Sequence, residues 1–184
     1  MWEGPQCPDL MGDKNKKIAA LRQLPHSKNL RLYRWADVSA TFFITKSLHP
    51  KKPVLNSEAR AVIVSALRFA VEHNRIYLRA FVVMPDHWHA LLALREPWTL
   101  PKFMHHFMSY VAQKTGRFFN TRDAAWQDGY YDTHVKTAKQ FEYVAYYIEQ
   151  NPVVKGLVDS AERWDASSAS CKDVIIDPWP LTYD

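Results

Sequence analysis

Cysteine is nearly missing from this 184-residue sequence, which carries only Cys7 and Cys171. Two thiols so far apart make no disulfide framework and no C-x-x-C zinc knuckle, and they fit a reducing cytoplasm. No apolar run approaches the roughly 20 residues that span a bilayer. The opening residues, Met1-Trp2-Glu3-Gly4-Pro5, show no charged head before an apolar core, so no secretory signal is expected there. Internal repeats and long low-complexity tracts are missing too. What is present is a hydrophobic content of 47% with 14% aromatics, which argues against wholesale disorder. The length suits one domain with extensions and is enough to bury a normal core. Lys and Arg exceed Asp and Glu by 24 to 19, a net +5 that suits a polyanionic partner. The excess is uneven. Lys14, Lys16, Lys17, Arg22, Lys28, Arg31 and Arg34 are crowded together, with only Asp13 beside them. A solubilising tail and a nucleic-acid contact both fit that run.

The pattern of side chains predicts a short list of elements. Residues 1 to about 36 are polar and bear Pro and Lys, and they read as an extension with a short helical turn over Ile18 to Leu24. Thr41-Phe42-Phe43-Ile44-Thr45 is β-branched and aromatic and reads as a first strand. Asn56 or Ser57 caps a helix to about His73, with Ala59, Ile63, Leu67, Ala70 and Val71 at helical spacing. Tyr77 to Met84 is a second strand, Pro85-Asp86 a tight break, and His87 to Leu94 a third strand, which suggests a hairpin. Thr99 caps a second helix that buries Leu100, Phe103, Phe107 and Val111 and keeps Lys102, His105, Ser109, Lys114 and Arg117 largely off that stripe. Trp126 to Val135 reads as a fourth strand. Thr137-Ala138-Lys139-Gln140 is a capping box for a third helix, which is expected to end at Asn151-Pro152 because proline cannot continue it. The order is that of an α+β, ferredoxin-like β-α-β-β-α-β palm with an antiparallel sheet, plus a C-terminal helix. Strands one and three would be central.

His87-Trp88-His89 holds the chemistry. On a strand, alternate side chains share a face, so the two imidazoles point together and Trp88 points away toward a core. Such a pair is half of a divalent-metal site. Two ordinary exposed histidines would read the same way. The third helix supplies more. Phe141, Val144, Ala145 and Ile148 form its buried stripe, and Tyr143, Tyr147 and Asn151, four apart, form a second stripe beside it. Tyr146 points nearly opposite the buried stripe. Tyr147 can then stand at the edge of the helix–sheet interface, with the Asn151 amide oxygen one turn away. Two imidazoles and one amide oxygen leave open positions, which suits Mg²⁺ or Mn²⁺ better than structural zinc. A tyrosine oxygen can attack phosphorus and carry a covalent phosphoryl group. Tyrosines that merely rim the core would show the same spacing.

With these motifs the chain resembles the single-tyrosine HUH transposases, and among them the REP-associated tyrosine transposases. The resemblance rests on Val82-Val83-Met84-Pro85-Asp86-His87-Trp88-His89-Ala90-Leu91-Leu92, Trp126-Gln127, Gly129-Tyr130-Tyr131-Asp132, the run Tyr147 to Val158, and Arg163-Trp164-Asp165-Ala166-Ser167-Ser168. It implies a palm over residues 37–158 that cuts single-stranded DNA beside a hairpin through a 5′-phosphotyrosine link. A basic extension (1–36) and an irregular tail (159–184) flank it. Tyr147 matches the nucleophile of that family, His87 and His89 its metal histidines, and Asn151 its third ligand, for Mg²⁺ or Mn²⁺. Ser39-Ala40-Thr41-Phe42-Phe43 lacks the glycine of the family's Gly-Thr-aromatic motif in strand one.

The resemblance implies a metal-dependent endonuclease and strand transferase acting on hairpin-bearing, palindromic single-stranded DNA. A domesticated relative that binds the hairpin without cutting is the alternative, and the presence of both histidines, the tyrosine and the asparagine favours activity. A hydrolase built on H-x-H-x-H fails at Leu91. Candidate DNA contacts are Lys14, Lys16, Lys17, Arg31, Arg34, Lys114 and Arg117. A cytoplasmic, nucleoid-associated bacterial protein, acting as a monomer rather than a dimer and away from membranes, is expected.

Overall fold

The computed structural model describes residues 40–50, 54–119, 125–176, 179–181 and 183. The expected helical turn at Ile18–Leu24 and the basic residues Lys14, Lys16, Lys17, Arg31 and Arg34 lie outside the described residues.

Seven main elements follow in order: β1 (Thr41–Ser47), α1 (Ser57–Glu72), β2 (Ile76–Val83), β3 (His87–Leu94), α2 (Leu100–Phe119), β4 (Tyr131–Val135) and α3 (Ala138–Val154). The strands form one antiparallel sheet in the order β2-β3-β1-β4. This is the ferredoxin-like arrangement expected from the element order, with β1 and β3 central. Thr45 pairs with His89 and Ser47 with His87, so β1 lies beside the histidines along their whole length.

Local chemistry accounts for the element ends. The Asn56 side chain accepts from Ala59 N at 2.8 Å and caps α1. Thr137 Oγ1 accepts from Gln140 N at 3.2 Å at the start of α3, while Gln140 Oε1 reaches back to Lys136 N at 3.0 Å. That is the reciprocal pairing of a capping box, shifted by one residue. The expected end of α3 at Asn151-Pro152 is not observed, since the helix continues through Pro152 to Val154. Its true stop is Gly156, whose φ of 67° suits glycine. Gly156 N donates to Val153 O and Leu157 N to Pro152 O, both at 2.9 Å, which is a Schellman closure. Proline sits only a turn before that stop, so it sacrifices one internal bond rather than a helix. The fourth strand is also shorter than expected. Trp126 makes only an isolated bridge to Leu48, and pairing with β1 begins at Tyr131.

One core fills the space between sheet and helices. Trp88, Phe81, Phe103, Ile63, Leu67, Leu91 and Leu92 are among its fully buried members. The Trp88 ring lies 5.3 Å from Phe107, so α2 covers the face of β3 opposite the histidines. α3 covers the histidine face.

The irregular residues after α3 are firmly packed. Val83 N donates to Ala166 O at 2.8 Å, Ser168 N to Phe81 O at 2.9 Å, and Ile176 N to Leu78 O at 2.8 Å. This segment runs antiparallel along the outer edge of β2 and satisfies backbone groups that an exposed edge strand would leave open.

Candidate active site

The hairpin corner before β3 sets where the histidines stand. Met84 N donates to His87 O at 2.8 Å, Leu55 N to Pro85 O at 2.7 Å, and Leu48 N to Asp86 O at 2.8 Å. Pro85 has no N–H to satisfy, and its neighbours' carbonyls are held by the chain on either side of the corner. The result is a rigid platform on which His87 and His89 project from one face, ring centroids 4.6 Å apart.

Each imidazole has a partner on Nδ1. His87 Nδ1 lies 2.6 Å from Asp86 Oδ1, and His89 Nδ1 lies 2.8 Å from Thr45 Oγ1. An ionised carboxylate only accepts, so it assigns the proton of His87 to Nδ1 and the lone pair to Nε2. Thr45 can accept in the same way from His89. Histidines that bind metals are held by such outer partners, which fix the ring and its tautomer. Thr45 and Asp86 are therefore part of the site, although sequence reasoning did not assign them roles. Asp86 could have been found from its position next to His87. Thr45 could not, because its place depends on the register of β1 against β3.

α3 lies across this face. The Tyr147 ring centroid is 5.7 Å from that of His89 and 6.1 Å from that of Phe43, the latter contact edge-on at 88°. Phe43 also lies 5.2 Å from His89, so three rings pack around one another. Such contacts restrict the orientation of the ring, which is half-buried between helix and sheet. Tyr143 and Tyr146 are 36% and 58% exposed, and neither makes a ring contact with the histidines among the described residues. Asn151 is buried at 5% and follows Tyr147 by four residues, a displacement of about 6 Å along the helix.

The other candidate residues are not brought here. Lys114 and Arg117 sit exposed on α2, the layer that covers the Trp88 face. Trp126 is a core residue, buried at 6% with its indole N–H donating to Thr115 Oγ1 at 3.4 Å. Trp179 packs on Phe141 and Tyr77.

Lys46 is a further buried group that the sequence did not single out. Its Nζ donates to Gly129 O at 2.6 Å and to Gln127 O. Gln127 in turn donates from Nε2 to Leu48 O at 2.8 Å. Burial pushes the Lys46 ammonium below its ordinary pKa, and the nearby charge of Asp128 partly opposes that shift. The ammonium thus ties the loop before β4 to the end of β1.

No group of three His, Cys, Asp or Glu able to hold a metal occurs among the described residues. Two imidazoles with oriented outer nitrogens fit a divalent cation only if a neutral oxygen donor and solvent or substrate oxygens complete the set. Asn151, buried on the facing helix one turn beyond Tyr147, is a residue of that kind.

This fold and this arrangement fall within a known class of transposase. The family model described as "Transposase IS200 like" matches residues 42–151, more than half of the chain, and the chain belongs to that family. It is 23% identical over 152 residues to a REP-associated tyrosine transposase of Escherichia coli (strain K12), covering 82% of this chain and 88% of the relative. The structure of a REP-associated tyrosine transposase bound to a REP hairpin aligns with a TM-score of 0.62 at 19% identity, over 79% of this chain and 88% of that one. The family match runs from β1 to Asn151 and so contains both histidines and Tyr147.

Proposed function

We propose that the chain is a single-stranded DNA endonuclease and strand transferase that cuts beside a hairpin. In this reading Tyr147 is the nucleophile, and His87, His89 and Asn151 hold a divalent cation, Mg²⁺ or Mn²⁺. The observation that carries it is the Tyr147 ring packed 5.7 Å from His89 and held against Phe43, while Tyr143 and Tyr146 point elsewhere. The similar structure bound to a REP hairpin supports a hairpin-bearing substrate.

The chemistry balances as an exchange of phosphoesters. The Tyr147 oxygen attacks phosphorus, the bond from phosphorus to the 3′ oxygen breaks, and the strand is left with a free 3′-hydroxyl. The tyrosine proton passes to water, and the departing 3′ oxygen takes one up. Tyrosine is mostly protonated near neutral pH, its reference pKa being about 10, so attack needs that transfer. The product is a 5′-phosphotyrosine link, from which another 3′-hydroxyl can regain the phosphate by the reverse step. A bound cation would supply charge stabilisation on the scissile phosphate. The protein's own part is to keep the imidazoles in one tautomer through Asp86 and Thr45, and to hold the tyrosine ring at one position.

The test is incubation with single-stranded hairpin DNA and Mg²⁺ or Mn²⁺, read as a covalent adduct on a denaturing gel. Tyr147→Phe should lose the adduct by roughly 10³-fold or more, as expected when a nucleophile is removed, while still binding DNA. An adduct persisting at full yield in that variant overturns the assignment of Tyr147.

A further inference from the structure

At the end of the sheet away from His87, a set of cations is laid on two aromatic rings, Phe69 exposed and Trp98 half-buried. The Arg75 guanidinium sits 4.9 Å from the Phe69 ring and 4.9 Å from the Trp98 ring, joining α1 to the loop before α2. The Lys102 ammonium lies 4.9 Å over the other part of that surface, the Trp98 ring. His73 stacks on Phe69 at 3.7 Å, and His106 meets Trp98 edge-on at 5.6 Å. Among the described residues neither Arg75 nor Lys102 takes part in an ion pair. Their neighbour Arg68 differs, being paired with Asp173. Glu72 and Glu96 are the acids nearest in sequence, and neither forms an ion pair with Arg75 or Lys102 among the described residues.

We infer that the Phe69–Arg75–Trp98–Lys102 cluster is a second nucleic-acid contact, taking a single-stranded segment that extends away from the histidine–tyrosine site. This rests on the DNA chemistry proposed above. Stacking between two rings fixes the guanidinium plane at small entropic cost. The N–H donors lie in that plane, so stacking leaves them presented to a phosphate rather than using them up. Phe69 is 44% exposed, with His73 stacked on its ring and Arg75 laid over it, so it holds the guanidinium at the surface and adds an apolar edge beside it. Two cations held on aromatic rings, neither in an ion pair among the described residues, offer a strand's phosphates two fixed contacts. The seven residue steps from His87 to Leu94 put the cluster about 23 Å from the first histidine, too far to share one phosphate with it.

The experiment uses the full chain, fluorescein-labelled oligothymidine and EDTA, with anisotropy followed across a salt series. Lys102 is exposed, so Lys102→Glu leaves the fold intact. It should raise Kd about tenfold and reduce the slope of log K against log salt by about 1. Phe69→Ala should raise Kd about threefold, because the Arg75 guanidinium loses one of the two rings that hold it. Lys172→Glu, the same charge change at another exposed site, should alter Kd by less than about twofold. If Lys102→Glu and Phe69→Ala bind like the wild type, the cluster is not a DNA contact, and the proposed chemistry stands without it. Equal loss in Lys172→Glu would reduce the effect to net charge and also overturn the inference. A wild-type chain that binds no oligothymidine would overturn both the cluster and the DNA reading on which it rests.

Discussion

The two faces of β3 are built on opposite terms. On one, Trp88 is fully buried against Phe107 among apolar neighbours from the paired helices α1 and α2. On the other, His89 is nearly as buried, yet it is surrounded by hydrogen-bonding groups: Thr45 on its ring nitrogen, His87 and Asp86 beside it, Tyr147 above. Burial of polar groups is costly unless each is paired, so a fold does not gather them for packing alone. The alternation of one strand thus divides labour. The Trp88 face contributes stability, and the histidine face contributes a preorganised set of donors. Residues a single position apart should therefore fail in different ways when altered.

The largest effect should come from the dry face. Trp88→Ala is expected to destabilise the protein by about 3–5 kcal/mol in thermal or denaturant unfolding, through lost burial and the cavity left behind. A variant melting like the wild type would remove the distinction between the faces. Thr45→Val tests the wet face with the shape kept and the hydroxyl gone. It should lower metal affinity or cleavage by about 10–100-fold, as loss of a histidine's outer partner does. Stability should stay within about 1 kcal/mol. A larger loss of stability with unchanged cleavage would make Thr45 a packing residue.

Lys46 lies on the Trp88 side of β1, paired with Trp88 in register, and is the exception within the dry layer. Lys46→Met should cost about 1–3 kcal/mol, because the carbonyls of Gln127 and Gly129 would be left without their donor. The pH dependence gives a smaller signal. The folded pKa of Lys46 is depressed by burial, so the unfolded chain binds more protons between that value and the ordinary lysine value of 10.5. Its contribution to stability is fully present above 10.5 and is lost as pH falls through the folded value. Wild-type stability minus that of Lys46→Met, measured by denaturant titration, should therefore rise with pH in the alkaline range. A flat difference would mean that Lys46 is not desolvated.

Much of this site was legible before any coordinates. The period-two alternation of His87, Trp88 and His89 and the 3.6-residue stripe of Phe141, Val144, Ala145 and Ile148 are local patterns. Local patterns survive folding when one face is buried. The four-residue spacing of Tyr147 and Asn151 belongs to the same class. Two things were hidden for a common reason, which is that they depend on partners distant in sequence. Thr45 meets His89 only through the register of β1 on β3, 44 residues apart. Residues 164–176 lack any periodic pattern because they pair through backbone groups with β2, which composition does not reveal. Pro152 misled because a proline near a helix end removes only one bond, and the glycine four residues on sets the stop.

The central claim is that the tyrosine packed on the histidine face, and no other on α3, forms the covalent link. Peptide mapping of the trapped DNA adduct by mass spectrometry tests it directly. The account predicts the nucleotide remnant on Tyr147 alone. A remnant on Tyr143 or Tyr146 would contradict it.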